Sequence, residues 1–230
     1  TTGGANVTLP AATATDNIDP APVVVCDQSS GLFLLGDTTV NCTATDASGN
    51  FDSGSFTVTV TDTTDPTITA PDDVTVEAGA LGRASGIDLG SPSTSDIVDD
   101  EPEITNDAPA FFPLGTTTVT HTATDQSGNF TTDTQFVVVK DTTDPTITAP
   151  TDVTVEGNAE GGATGVTLGD PTVFDLADPT PTITNDAPAF FPLGDTLVTH
   201  TATDQSGNFA SDTQTVTVVD ETDPDLGYNR

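Results

Sequence analysis

Thr122-Ala123-Thr124-Asp125-Gln126-Ser127-Gly128-Asn129-Phe130 is the stretch that organises the chain, because it recurs. The same run returns at 201–209 and, with Ala47 in place of glutamine, at 43–51, each copy 79 residues from the next. A second stretch, Thr-Asp-Pro-Thr-Ile-Thr-Ala-Pro, occupies 64–71 and 143–150. A third, Phe112-Pro113-Leu114-Gly115, returns as Phe191-Pro192-Leu193-Gly194 and more loosely as Leu34-Leu35-Gly36. Self-similarity at a fixed period marks a repeat architecture, and the chain holds three copies of one unit.

Around these landmarks the pattern is that of strands. Val58 and Val60 alternate with Thr57, Thr59 and Thr61, the period of a strand with one buried face. Val40, Cys42 and Ala44 form another inward set, repeated as Val119, His121, Ala123 and as Val198, His200, Ala202. Threonine suits the outward positions, being β-branched and uncharged. Short strands punctuated by Gly, Pro and Asp predict a β-sandwich. No stretch carries a helical period.

The order of motifs resembles the hyalin repeat (HYR) domain family: Asp-Thr-Thr-Asp-Pro-Thr-Ile-Thr-Ala-Pro, then Asp-Val-Thr-Val-Glu, then Phe-Pro-Leu-Gly, then Thr-Ala-Thr-Asp-Gln-Ser-Gly-Asn-Phe. The resemblance covers nearly the whole chain. It implies immunoglobulin-like sandwiches in tandem, on extracellular and adhesive proteins, without catalysis. The expected fold is all-β: three tandem immunoglobulin-like β-sandwich domains arranged as a rod. The expected domains are 1–62, lacking its own leading strand, then 63–141 and 142–220, with a tail at 221–230.

Composition narrows the function classes. The 230 residues hold 36 acidic and 3 basic side chains, a formal net charge of -33. Such a polyanion repels nucleic acid and anionic membrane surfaces. No apolar run approaches the length that spans a bilayer, so direct membrane insertion is not expected. The absence of an initiator Met is read as a processed or partial chain. No Gly-x-Ser-x-Gly, His-Glu-x-x-His, phosphate loop or dinucleotide fingerprint occurs. Trp is absent and Tyr228 stands alone, so paired carboxylates lack the aromatic platform of a sugar-cleaving site. The chain reads as no enzyme.

Cys26 and Cys42 are expected to form a disulfide in a secreted β-domain, closing a loop that contributes roughly 3 kcal/mol. The matching positions in the other units are Asn106 with His121 and Asn185 with His200, where buried Asn–His hydrogen bonds are expected in place of the disulfide. Sequons at Asn6, Asn41 and Asn129 are glycosylation candidates.

The acidic residues collect at three places in each unit. The linker carries Asp62 and Asp65, Asp141 and Asp144, and Asp220 and Asp223. The turn after the second strand carries Asp16 and Asp19, then Asp96, Asp99 and Asp100, then Asp175 and Asp178. The last hairpin carries Asp46, Asp125 and Asp204. In an immunoglobulin-like sandwich these loops converge at one end. Crowded carboxylates call for a hard divalent cation with oxygen ligands, and Ca²⁺ at each junction is the expectation.

Unit one lacks a Pro-Thr-Ile-Thr-Ala-Pro strand, while 220–230 resembles such a strand with nothing after it. Two readings stand: a window cut from a longer array, or a tail that completes the first unit of the next copy. The function expected is a structural subunit of an extracellular fibril, assembled head to tail from copies of itself. The alternatives are a spacer or adhesion module of a larger secreted or cell-surface protein, and a non-catalytic accessory or glycan-binding module of a secreted enzyme. Other surface proteins or glycans are further expected partners.

Overall fold

The computed structural model describes residues 3–223. Among these the regular structure is entirely β. The first repeat carries β1 (Gly4–Val7), β2 (Val23–Cys26), β3 (Gly31–Leu34), β4 (Gly36–Thr45) and β5 (Phe51–Val60). The second carries β6 (Thr67–Thr69), β7 (Val74–Glu77), β8 (Arg83–Ala84), β9 (Ser93–Ser95), β10 (Glu103–Asn106), β11 (Phe112–Pro113), β12 (Gly115–Thr124) and β13 (Phe130–Lys140). The third carries β14 (Thr146–Thr148), β15 (Val153–Glu156), β16 (Gly162–Thr164), β17 (Thr172–Phe174), β18 (Thr182–Asn185), β19 (Phe190–Pro192), β20 (Gly194–Thr203) and β21 (Phe209–Val219). Two compact units result. One comprises the residues up to Asp72 with Leu89–Ala108 and Thr118–Gln135; the other comprises Asp73–Asp88, Pro109–Thr117 and the residues from Phe136 on.

In the first unit β4 and β5 form an antiparallel hairpin from Gly36↔Val60 to Thr45↔Phe51. Its turn is set by Asp46, whose carboxylate accepts the N–H groups of Ser48 and Asn50. Gly49 there adopts φ 86°, a conformation open to glycine and strained for other residues. β2 pairs with the outer side of β4 through Val23↔Thr45 to Cys26↔Cys42, and β1 pairs with β3. Phe33, Val40 and Val60 form the buried cluster, with Val7, Leu9, Phe56 and the two cysteines packed on it. The Val/Thr alternation read in the sequence is the alternation of inward and outward faces. In the same unit β6 pairs with β9, and β10 pairs with the end of β12 from Glu103↔Thr124 to Asn106↔His121.

The second unit contains the whole third repeat, an immunoglobulin-like sandwich. Its larger sheet runs β15-β21-β20-β18. β15 lies parallel to β21, with Val153 opposite Val216 and Val155 opposite Val218. The smaller pairings β14–β17 and β16–β19 supply the opposing layer. Ala163, Phe191, Val198, Val216 and Val218 fill the space between. β7 repeats the parallel arrangement on Val137–Lys140 of β13. By contrast, β5 is the edge of a three-stranded sheet, β2-β4-β5, with no parallel neighbour among the described residues.

Candidate metal centre

Three strand ends bring three carboxylates together in each unit. In the first unit Asp62 follows β5, Asp96 follows β9 and Asp125 follows β12. In the second, Asp141 follows β13, Asp175 follows β17 and Asp204 follows β20. Within each trio, one oxygen per carboxylate lies within 4.8 Å of the others. Both trios sit where a linker meets the turn and hairpin of the repeat it leads into, which is the convergence expected from the sequence.

Each aspartate is fixed by its own loop. Asp96 Oδ1 accepts the N–H groups of Val98 and Asp99 at 2.7 and 2.8 Å, the Asx turn that makes Asp a turn former. Asp175 Oδ1 does the same for Ala177 and Asp178 at 2.8 and 2.6 Å. The hairpin aspartates are gripped by asparagine: Asp125 accepts the backbone and side-chain N–H groups of Asn129, both at 2.7 Å. Asp204 accepts those of Asn208 at 2.8 and 2.7 Å. The same asparagines reach across to the linker, donating from Nδ2 to the carbonyls of Asp62 (3.3 Å) and Asp141 (3.2 Å). Asp62 Oδ1 accepts from Thr64, and Asp141 accepts from Thr143 and from the Ser206 hydroxyl.

The electrostatics are unfavourable without a cation. Asp141, Asp175 and Asp204 are only 8, 7 and 6% exposed. Two unit charges at such spacing repel by roughly 3 kcal/mol at an effective dielectric of 20. Burial raises the pKa of Asp141, and the charges of Asp204 and Asp175 add to it against the Thr143 and Ser206 hydrogen bonds. Burial also acts on Asp125 and Asp204, but the hydrogen bonds from Asn129 and Asn208 outweigh it and hold both below the usual carboxylate range. The backbone N–H groups of Asp99 and Val98 lower Asp96 likewise. Asp62 Oδ2 and Asp96 Oδ2 are buried with no hydrogen-bond partner. Carboxylate oxygens are not left buried and unpartnered without reason. Calcium–oxygen distances of 2.3–2.6 Å place opposite ligands about 5 Å apart, so the trios fit that ion.

The structure distributes the other acidic candidates differently. Asp99 and Asp178 each spend one oxygen on the N–H of Gln126 or Gln205 and the other on their own loop. They brace the hairpin against the turn and stand outside the trios. Asp65, Asp100, Asp144, Asp220 and Asp223 are exposed and also outside them. In the first repeat Asp16 forms the same Asx turn, to Ile18 and Asp19, and Asp46 the same asparagine grip, with Asn50. Asp19 accepts from Ala47. Among the described residues no third carboxylate joins this pair. Beside it lies an open groove of about 610 Å³, lined in part by Ala12, Ala14, Val24, Cys42, Ala44 and Phe56.

Cys26 and Cys42 form the expected disulfide. The expected Asn–His bonds do not form. Asn106 and Asn185 stand opposite His121 and His200 in register, but both asparagines are exposed and accept from the N–H groups of Ala108 and Ala187. The buried imidazoles instead meet Gln135 Oε1 (3.1 Å) and Gln214 Oε1 (3.2 Å) from the next strand. The inward phase of the glutamines was the missed signal: each lies one hairpin partner across from the strand of its histidine. Asn6 and Asn41 are exposed, and Asn41 donates to Asp27. The Asn129 amide donates to Asp125 and to the Asp62 carbonyl.

The HYR domain model matches residues 1–60, 61–139 and 140–218. Hyalin of Lytechinus variegatus is 38% identical over 233 residues, covering 95% of this chain and 43% of that protein. Hyalin of Strongylocentrotus purpuratus is 37% identical, covering 95% of this chain and 19% of that protein. The chain thus spans less than half the length of these relatives. Among solved structures, Drosophila N-cadherin EC1-4 aligns over 84% of this chain and 60% of its own, with 15% identity and a TM-score of 0.37.

Proposed function

The chain belongs to the HYR domain family, and from that premise we propose that it is a structural subunit of an extracellular fibril, joined head to tail. In this reading the C-terminal segment of one copy completes the first repeat of the next, and Ca²⁺ occupies the aspartate trios. The disulfide supports an oxidising, extracellular setting.

The observation that carries the reading is a change of chemistry in the first repeat. In the others a buried glutamine secures the leading segment: Gln135 Nε2 donates to the carbonyls of Asp72 and Leu89, and Gln214 Nε2 to those of Thr151 and Leu168. Without that segment the amide would be buried with unmet hydrogen bonds, a loss of 1–3 kcal/mol or so. The first repeat has Phe56 at this position and a disulfide in place of the histidine. Its core is therefore self-sufficient, while the edge of β5 and the neighbouring groove stay open. An open strand edge is a template for another strand. Asp220-Glu221-Thr222-Asp223-Pro224-Asp225-Leu226 parallels Asp62-Thr63-Thr64-Asp65-Pro66-Thr67-Ile68 and would add Asp220 to Asp16 and Asp46. Residues 224–230 lie outside the described residues.

The ion's role is electrostatic: it supplies the positive charge that three converging carboxylates lack, and so ties linker, turn and hairpin together. Electron microscopy and light scattering of the purified chain in millimolar Ca²⁺ test the reading. Threads that disperse on chelation and fail to form after deletion of 221–230 are expected. A monodisperse monomer at high concentration and millimolar Ca²⁺ would overturn it. That outcome favours a spacer or adhesion module of a larger protein, a reading supported by the small share of the hyalins that the chain covers.

A further inference from the structure

We propose that Asn41 carries an N-linked glycan whose first sugars lie on the outer face of the β2-β4-β5 sheet. The proposal goes beyond the fibril reading: it needs export through a glycosylating secretory route and no assembly of copies. Asn41-Cys42-Thr43 is one of three Asn-x-Thr acceptor sequences, and the hydrogen bonds separate it from Asn129. An amide nitrogen has two hydrogens. Asn129 uses both, on Asp125 Oδ2 at 2.7 Å and on the Asp62 carbonyl at 3.3 Å. Asn41 uses one, on Asp27 Oδ2 at 2.8 Å, and the other has no partner among the described residues. Asn41 and Thr43 are both exposed.

Glycosylation replaces one amide hydrogen. The Asn41 nitrogen attacks the anomeric carbon of an oligosaccharide carried on a lipid diphosphate. A C–N bond forms as the C–O bond to the diphosphate breaks. The lipid diphosphate leaves with that electron pair, and one Nδ2 proton is released. The remaining N–H keeps its bond to Asp27 and fixes the direction of the linkage. The backbone N–H of Asn41 donates to the other oxygen of the same carboxylate at 2.9 Å, so Asp27 grips the residue at two points. At Asn129 the same exchange would break one of the bonds that hold the hairpin and the linker together, and Asn129 stays bare in the folded protein.

The surface beside Asn41 sets the first repeat apart. Residues opposite one another in register share a face of the sheet. Val25, Thr43 and Ser53 therefore form one row across the three strands, and Val23, Thr45 and Phe51 form the next. Val23, Val25 and Phe51 are 64, 64 and 75% exposed. The later repeats have Glu103 and Thr105, or Thr182 and Thr184, at the two valine positions. They also have Thr120 and Thr199 in place of Asn41, identified by the same N–H bond to Asp107 or Asp186. The acceptor asparagine and the exposed valines thus occur together in one repeat and in neither of the others. Val25 is the diagonal neighbour of Asn41, about 7–8 Å away, and Val23 and Phe51 lie one row of roughly 7 Å beyond it. A pyranose ring has a face of C–H groups and an edge of hydroxyls. Laid over the valines, it removes apolar surface from water while its hydroxyls stay hydrated. A tethered, uncharged sugar also covers the face without adding to a net charge of -33.

For the test, the chain is secreted from a eukaryotic host that N-glycosylates, and its glycopeptides are mapped by mass spectrometry. Asn41 is expected to be occupied and Asn129 bare. A bare Asn41, or a glycan on Asn129 of the folded protein, overturns the proposal. The same chain from a bacterial periplasm supplies the unglycosylated reference. Thermal midpoints of the first repeat, read by proteolysis within 1–60, are compared for the parent and for Val23→Glu/Val25→Thr, which installs the residues of the second repeat. Both carry Asn6→Gln, so that Asn41 is the one sequon left in this repeat, and circular dichroism monitors folding. The glycan is expected to raise the parent's midpoint by about 4 °C and that of the valine variant by less than half as much. Equal gains in both, or no gain in either, overturn the placement of the sugars on the valines. None of these readouts involves threads, so the fibril reading stands or falls separately.

Discussion

At Gln135 and Gln214 one buried amide ties three parts of a repeat together: its own strand, the histidine strand and the leading segment. Both amide hydrogens go to backbone carbonyls, so the oxygen must accept, and the imidazole Nε2 must carry the proton it donates. Gln135→Leu leaves the His121 N–H and the carbonyls of Asp72 and Leu89 without partners. A loss of about 2–4 kcal/mol is expected, read as a lower midpoint of thermal unfolding. If the second aspartate trio holds Ca²⁺ as proposed, Asp204→Asn and Asp175→Asn should each weaken its binding at least tenfold by calorimetry, whereas Asp144→Asn should not. The pH response has two arms. For Asp96, Asp125 and Asp204, held below the usual carboxylate range, stabilisation is present above that range and is lost as pH falls through their folded pKa. Asp141 has the opposite sign, since its pKa is raised. In chelator, acidification through its raised folded pKa toward the ordinary carboxylate range should relieve repulsion in the second unit before the other arm destabilises it. Added Ca²⁺ should remove the first arm; thermal midpoints measured against pH with and without EDTA check this.

At the scale of elements, the parallel pairings of β7 and β15 distinguish the later repeats from the first. β21 is flanked on both sides, and β5 on one. The Cys26–Cys42 cross-link joins neighbouring strands β2 and β4 and stabilises the first repeat by restricting the unfolded chain. Its reduction should lower the stability of the first repeat by about 3 kcal/mol, visible as protease cleavage within 1–60 under dithiothreitol while the third repeat stays intact. The β-elements themselves were legible because Thr and Val alternate so regularly. The short pairings β8–β11 and β16–β19 were not, since two or three residues carry no period. They are set by close approach: a Cβ at Gly162 would collide with the Phe191 carbonyl. Gly162→Ala should therefore destabilise the third repeat by more than 1 kcal/mol or so, measured by urea unfolding.

At the scale of the whole molecule, a charge of -33 disfavours the compact state by self-repulsion, and divalent ions bound at two complete trios would offset part of it. Calorimetry should find about two tight Ca²⁺ sites per isolated chain, with further uptake only on assembly. The sequence by itself determined the repeat, its 79-residue period, the all-β architecture, the disulfide and the three acidic groups of each repeat. These follow from local spacing, since strand period and turn chemistry act over a few residues. Only the tertiary structure decided which aspartates meet. Asp99 and Asp178 look identical to ligands in the sequence, yet their oxygens brace Gln126 and Gln205 across 27 positions of chain. It also replaced asparagine with glutamine as the partner of each buried histidine. Residues opposite one another in register share a face of the sheet, but Asn106 and Asn185 lie at an exposed strand end and bond their own loops, whereas the glutamines lie in the core.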